Sequence, residues 1–151
     1  PEHRGKKIGE KILSELKDLS EGLGISRHIQ WLGFQKNVHA YIEASDIMVI
    51  PSSAEGFGLV VLESWFHAKP VIAFDVPAIN EIVDDGVDGI LVSPFSEIGL
   101  ITAIIKILKD KNLSQQYGLS GQIKQKNSYD IGTMTNKTMA VLNNLYLNQS
   151  K

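Results

Sequence analysis

The chain is predicted to fold as an α/β domain with a parallel sheet and helices on both faces. Residues 47–50 (Ile-Met-Val-Ile) and Val71–Phe74 (Val-Ile-Ala-Phe) are short, largely β-branched runs with turn signals beside them, as buried parallel strands should be. Between them Leu59, Leu62, Trp65 and Phe66 recur at helical spacing, so the stretch reads as one βαβ unit with a glycine-bearing loop opening its helix. Alternation of strand and helix along the chain, rather than segregation, favours a parallel sheet.

The other elements follow in order. Residues 6–23 carry Ile8, Ile12, Leu13, Leu16, Leu19 and Leu23 as a helical stripe, stopped by Gly22 and Gly24. Residues 29–32 (Ile-Gln-Trp-Leu) read as a short strand ending at Gly33. Asn37 is placed to cap a helix over residues 38–44, with Val38, Tyr41 and Ile42 inward. After the βαβ unit, Asp75-Val-Pro-Ala is a turn and residues 79–83 a single helical turn. Asp85-Gly86 and Asp88-Gly89 are turn dipeptides, and residues 90–92 form the last strand. Beyond Pro94 only helix is expected. Ser96 caps residues 97–109, with Leu100, Ile101, Ile104, Ile105 and Leu108 as its apolar face. Residues 113–126 form a weaker helix interrupted by Gly118 and Gly121, and residues 131–147 a last one offering Met134, Met139, Leu142, Leu145 and Tyr146 for packing. Residues 1–151 are thus expected to be a single domain, with 96–151 a helical tail packed on it.

Composition narrows the function. The chain has 151 residues, 43% hydrophobic and 21% charged, an ordinary globular balance. Its net charge of −2 offers no electrostatic case for nucleic acid or an acidic membrane surface. The absence of cysteine removes disulfides, thiolate catalysis and cysteine zinc sites, and fits a reducing compartment. His3, His28, His39 and His67 show no ligand spacing, so no metal is expected; His67 is better read as a cap near a helix end. There is no apolar run of about 18 residues and no signal-peptide pattern. The chain begins at Pro1 without methionine and reads as a fragment.

The chemistry concentrates between Glu55 and Glu63. A helix opening after a glycine loop at a strand's carboxyl end presents unpaired amides and the positive end of its dipole, which suits an anion. Gly56 and Gly58 allow close backbone approach. Glu63, eight residues after Glu55, lies between Leu62 and Trp65 in an otherwise apolar helix. It reads either as an acceptor for ligand hydroxyls such as ribose or as a surface-facing glutamate. Asp84, Asp85 and Asp88 resemble a carboxylate cluster, but Asp-Gly turns explain them. No Gly-x-Gly-x-x-Gly follows a strand, which disfavours a dinucleotide-binding Rossmann domain.

Glu55-Gly-Phe-Gly-Leu-Val-Val-Leu-Glu63, preceded by Pro51-Ser52 and followed by Lys69-Pro70-Val71-Ile72-Ala73, resembles the Glu-x7-Glu motif of retaining, nucleotide-sugar-dependent glycosyltransferases of family 4, with the GT-B fold. Residues 25–34, Glu81-Ile-Val-Asp-Asp-Gly86 and Gly89-Ile-Leu-Val92 are similar to further family segments, so the resemblance covers roughly residues 10–95. It implies the C-terminal, Rossmann-like donor-binding half of a GT-B enzyme, lacking its first βαβ segment.

The resemblance also implies roles. Glu55 would be catalytic, contacting the donor sugar's hydroxyls and helping to hold an oxocarbenium-like transition state. Gly56, Phe57 and Gly58 would face the sugar, and the amides of Gly58, Leu59 and Val60 the diphosphate. Glu63 would bind the ribose, and Gly33, Phe34 and Gln35 the nucleobase. The partners would be a nucleotide-diphosphate sugar and, through a missing N-terminal domain, a sugar, lipid-linked or polysaccharide acceptor. No cofactor or metal is implied, and nucleic acid is excluded. The location would be cytoplasmic, with peripheral association at the cytoplasmic membrane face an option for the full enzyme. The rival reading is a non-catalytic interaction domain that kept the fold.

Some positions depart from the family pattern. Pro77-Ala78 stand where many members have two glycines, and Ala68 replaces the glycine before Lys69-Pro70. If φ is positive at Ala68, alanine costs on the order of 1 kcal/mol there. Trp65-Phe66 replace smaller residues and read as core packing. The family's basic diphosphate clamp has no match, since Arg4, Lys6 and Lys7 read as a solvated helix start. Without the strands that would flank it, the segment at 29–32 has no neighbour to bridge it to residues 47–50.

Overall fold

A computed structural model describes the backbone of residues 2–149 and the side chains of residues 9–146. The chain forms two compact units, Pro1–Lys36 and Asn37–Lys151.

The first unit is one helix and a coiled exit. Helix α1 (Glu2–Gly22) ends in a Schellman closure. Gly24 takes φ +68, the Ile25 amide donates to Ser20 O at 3.0 Å, and the Gly24 amide donates to Glu21 O at 2.9 Å. The stripe predicted for this helix stays at the surface. Ile12, Leu13, Leu16, Leu19 and Leu23 are all exposed, and the side chain of Ile8 lies outside the described residues. Residues 29–32 are not a strand. After a single 3-10 turn (Ser26–His28) they run without a ladder. An apolar run becomes a strand only where another strand takes up its backbone groups, and none among the described residues does so.

The second unit holds the sheet. Helix α2 (Val38–Ala44) leads into β1 (Met48–Ile50), one residue shorter than expected. Helix α3 (Leu59–Phe66) crosses to β2 (Val71–Phe74), and α4 (Ile79–Ile82) to β3 (Gly89–Val92). The strands are parallel in the order β1-β2-β3, with Val49 opposite Ile72 and Ile72 opposite Ile90. All of β2 is buried. Because successive side chains point to opposite faces, both faces of the central strand are covered. Asn37 starts α2 without a side-chain cap, and only Ile42 of its expected inner face is buried.

Helices α5 (Glu97–Lys109), α6 (Lys111–Ser128) and α7 (Ile131–Gln149) complete the unit. Ser96 caps α5 as expected, its Oγ accepting from the Gly99 amide at 3.1 Å. The buried face of α5 is rotated from the expected one. Ala103 and Ile107 are buried, with Leu100 and Ile104 packed beside them, while Ile101, Ile105 and Leu108 face out. Apolar residues surround most of this helix, so periodicity alone could not choose the inner side. On α7, Met134, Met139, Leu142, Leu145 and Tyr146 are exposed, with Met134 lining a cavity against Leu62 of α3.

Gly118 and Gly121 do not interrupt α6. They are where α3 touches it. A Cβ on Gly118 would lie 2.0 Å from Ala68 O, and one on Gly121 would lie 2.2 Å from the Trp65 ring. Ala68 closes the end of α3 at φ +52, with the Lys69 amide donating to Ser64 O at 3.0 Å. The expected left-handed strain at this alanine is therefore present. Trp65 is fully buried, but Phe66 is 58% exposed, so only the first of the two aromatics is core.

Gly121→Ala is expected to lower stability by about 2–3 kcal/mol, because neither the indole nor the helix can move away without opening the core. Thermal or urea unfolding checks this, with exposed Gly9→Ala as the control.

Candidate functional site

Strand β1 ends at Ile50, and its carboxyl end opens into the loop that carries Glu55, Gly56 and Phe57. Gly58 turns that loop into α3. It is the N-cap residue at φ +81, buried, and a Cβ there would stand 3.0 Å from Ile79 Cδ1 and 3.3 Å from Ile82 Cδ1 of α4. Glycine is needed twice over, for the left-handed backbone and for the approach of α4.

The first turn is left open. The Val61 amide donates to Gly58 O at 2.9 Å, whereas no acceptor among the described residues meets the amides of Phe57, Gly58, Leu59 or Val60. No side chain caps this end. Leu59 and Val60 are exposed, and the positive end of the helix dipole falls at this turn.

The inner side of α3 is Val61, Ser64 and Trp65, with Leu62 partly buried against the core, while Leu59 and Phe66 of the expected stripe are exposed. Ser64 can be buried because its hydroxyl donates to Val60 O at 2.6 Å. Glu63 therefore sits on the side of α3 away from the core, half-buried, as Glu55 is in the loop. Neither carboxylate meets a cation among the described residues. The open amides are thus flanked in sequence by two unpaired carboxylates. Gly33, Phe34 and Gln35 belong to the first unit. Gly33 has φ +60, Phe34 is 91% exposed, and Gln35 Nε2 donates to Leu32 O at 2.7 Å.

A cavity of about 300 Å³ lies beside the start of α3. Phe57, Leu59 and Leu62 form one wall, and Tyr129, Met134, Lys137 and Thr138 the other. Phe57 meets Tyr129 edge to face at 6.4 Å. Of the second wall, only Met134 was singled out in the sequence, as a packing residue; Tyr129 precedes α7, and only the tertiary fold brings Lys137 and Thr138 of α7 to the loop. Another cavity, of about 630 Å³, is lined by Phe66 and α6 residues such as Gln122 and Ile123, and holds none of the expected site residues. No group of three histidine or carboxylate residues is gathered to hold a metal ion among the described residues.

The far end of α3 is fixed by a polar cluster that the sequence concealed. Trp65 Nε1 donates to Asp88 O at 3.1 Å, and Lys124 Nζ lies 5.6 Å from the centroid of the Trp65 ring. The same ammonium donates to Asp84 Oδ2 at 2.7 Å and to Asp88 Oδ2 at 2.9 Å. Asp88 Oδ1 accepts from the Asp84 amide at 2.8 Å. So Asp88, read as a turn residue, is also a buried ion-pair partner. Asp85 does act locally, its Oδ1 accepting from the Leu91 amide. Burial holds the Asp88 carboxyl above the usual carboxylate range, against the opposing pull of Lys124 and the Asp84 amide. Burial also works against the Lys124 charge, but its hydrogen bonds to Asp84 and Asp88 outweigh this and raise its pKa. His67 caps α3 through its amide, and its Nε2 lies 3.0 Å from His39 Nδ1.

With this geometry in place, the comparisons are consistent. Residues 8–123 match the family model of glycosyl transferases group 1, and the chain belongs to that family. It is 29% identical over 104 residues to alpha-D-kanosaminyltransferase of Streptomyces kanamyceticus, covering 68% of this chain and 27% of that protein. Among solved structures, it is similar to Anabaena Alr3699/HepE in complex with UDP, with TM-score 0.86 and 25% identity over 89% of this chain and 37% of that one. It is also similar to the C-terminal domain of a glycosyl transferase group 1 family protein (LpcC) from Francisella tularensis, with TM-score 0.72 and 27% identity over 80% of this chain and 64% of that one. The fold is that of GT-B glycosyltransferases, and the chain spans less than a third of the length of curated relatives it matches, 27% and 31% in two of them.

Lys124→Met would leave Asp88 buried without its cation, and a loss of about 2–4 kcal/mol at neutral pH is expected. The signs with pH follow from the two raised pKa values. Lys124 contributes fully below its ordinary value of 10.5, and that contribution is lost as pH rises through its higher folded value. Asp88 binds a proton more readily when folded, so its contribution declines as pH rises above 3.8 through its raised value. The variant's deficit should therefore narrow as pH falls into the carboxylate range, which urea unfolding at several pH values measures.

Proposed function

We propose that this chain is the donor-binding part of a retaining glycosyltransferase of family 4 that uses a nucleotide-diphosphate sugar. The observation that carries this reading is the run of open amides, residues 57–60, set between Glu55 and Glu63 at the carboxyl end of a parallel strand. The UDP complex of the similar Anabaena structure supports the choice of a nucleotide ligand.

In this reading the donor's diphosphate lies against the amides of Gly58, Leu59 and Val60. The amides, their dipole and basic side chains stabilise the charge that grows as the glycosidic bond breaks, without a metal ion. Glu63, on the outer side of α3, accepts hydrogen bonds from the ribose hydroxyls. Glu55 contacts the sugar hydroxyls and offsets positive charge on the oxocarbenium-like carbon. Gly56 and Phe57 line the sugar. Transfer to a sugar, lipid-linked or polysaccharide acceptor requires residues outside this chain.

Isothermal titration of UDP and GDP into the full-length protein tests the reading. Glu63→Ala should weaken nucleoside diphosphate binding by roughly 10-fold or more, the value of hydrogen bonds to a charged acceptor. Glu55→Ala should bind the diphosphate as before and lose transfer. A Glu63→Ala protein that binds as tightly as wild type would remove the ribose assignment.

A further inference from the structure

The loop that carries Glu55 is held at few points. Among the described residues, no hydrogen bond and no ion pair involves residues 53–57. A Cβ on Gly56 would meet nothing within 4 Å beyond its chain neighbours. At the end of this stretch the Phe57 ring, itself 52% exposed, rests edge to face on Tyr129, with centroids 6.4 Å apart and planes at 75°.

Tyr129 can bear on a loop because it is fixed itself. Its ring is partly buried against the core. Its amide donates to Gln125 O at 2.9 Å and closes α6. The next residue, Asp130, opens α7, its Oδ1 accepting from the Gly132 and Thr133 amides at 2.8 and 3.2 Å. Helix α6 is in turn seated on the far end of α3 through Gly118 and Gly121. The Tyr129 hydroxyl has no hydrogen-bond partner among the described residues, so the ring is the part that acts.

We infer that Tyr129 is a positioning residue for the proposed glycosyl transfer. Its ring holds Phe57, and through Phe57 it aims the amides of Phe57 and Gly58 and the Glu55 carboxylate two residues back. The inference rests on the donor-binding reading of this loop. As core packing the contact is poor, because a pair with one ring half in water buries little apolar surface. As a tether it is well placed. It acts one residue before Gly58, and it limits the loop conformations that a ligand would otherwise have to order.

Full-length wild type, Tyr129→Phe, Tyr129→Leu, Phe57→Ala and the Tyr129→Leu/Phe57→Ala double variant test this. Leucine keeps apolar bulk against the core, so folding is expected to survive, and far-UV circular dichroism monitors it. UDP carries no sugar and so probes the amides alone. By titration calorimetry its affinity should be about fivefold weaker in Tyr129→Leu and unchanged in Tyr129→Phe. Phe57→Ala should weaken it by a similar factor, and the double variant by no more than either alone, as for two residues acting as one unit. In ligand-free protein, the heteronuclear 1H–15N Overhauser effect at the Phe57 amide should fall in Tyr129→Leu and hold in Tyr129→Phe, a loosening that a general loss of stability does not produce. An unchanged Overhauser effect in Tyr129→Leu, or losses of UDP affinity that multiply in the double variant, overturns the proposal. So does loss of UDP binding in Tyr129→Phe, which would make the hydroxyl a ligand contact. Wild type that binds no UDP, with Phe57 still loosened in Tyr129→Leu, would instead remove the donor reading and with it the tether's role in transfer, so the two failures are told apart.

Discussion

Helix α3 lies where it does because α6 offers it two residues without a Cβ. The carbonyl of Ala68 and the indole of Trp65 occupy the space that side chains at positions 118 and 121 would fill. With the helices this close, Trp65 reaches the carbonyl of Asp88, and Lys124 reaches across the ring to both aspartates. A contact of shape thus makes a contact of charge possible. The end of α3, the turn before β3 and the middle of α6 become one packed cluster.

That fixed end sets what happens at the other. A helix of eight residues is little more than two turns, so an anchor near Trp65 controls the direction of its first amides. Gly58 anchors the start against Ile79 and Ile82 while keeping the backbone in a form that no capping side chain closes. The outcome is a short, doubly held helix whose first donors meet no acceptor among the described residues and lie in sequence between two carboxylates. In the proposed reading, the charge of a diphosphate would satisfy these donors and meet the positive end of the helix dipole. Membership in the glycosyl transferase group 1 family fits this arrangement, and the geometry supplies a physical reason for it.

Much of the fold was legible in local pattern. Val71–Phe74, Val38–Ala44 and Glu97–Lys109 have the expected bounds, because β-branched runs, apolar spacing and a serine cap are written within a few residues. What was misread depended on distant partners. Residues 29–32 look like a strand, yet no ladder takes up their backbone. Gly118 and Gly121 look like breaks, and only the fold shows Trp65 and Ala68 against them. Lys124 and Asp88 are 36 residues apart and leave no periodic trace. At the site, Glu55 and Glu63 were singled out from the sequence, their roles by resemblance alone, and the positive φ at Gly58 accords with its glycine. The contribution of Tyr129, Met134 and Lys137 to the neighbouring cavity was not readable, since it comes from the packing of another helix.

The account turns on the amides that open α3 being the phosphate-binding groups. Amide NMR of protein labelled with 15N at phenylalanine, glycine, leucine and valine, titrated with UDP, reads them directly. The account predicts saturable shifts at Phe57, Gly58, Leu59 and Val60, with little change at Leu113 and Leu119 on α6. Shifts confined to residues away from the start of α3, or none under conditions where titration calorimetry shows binding, would contradict it.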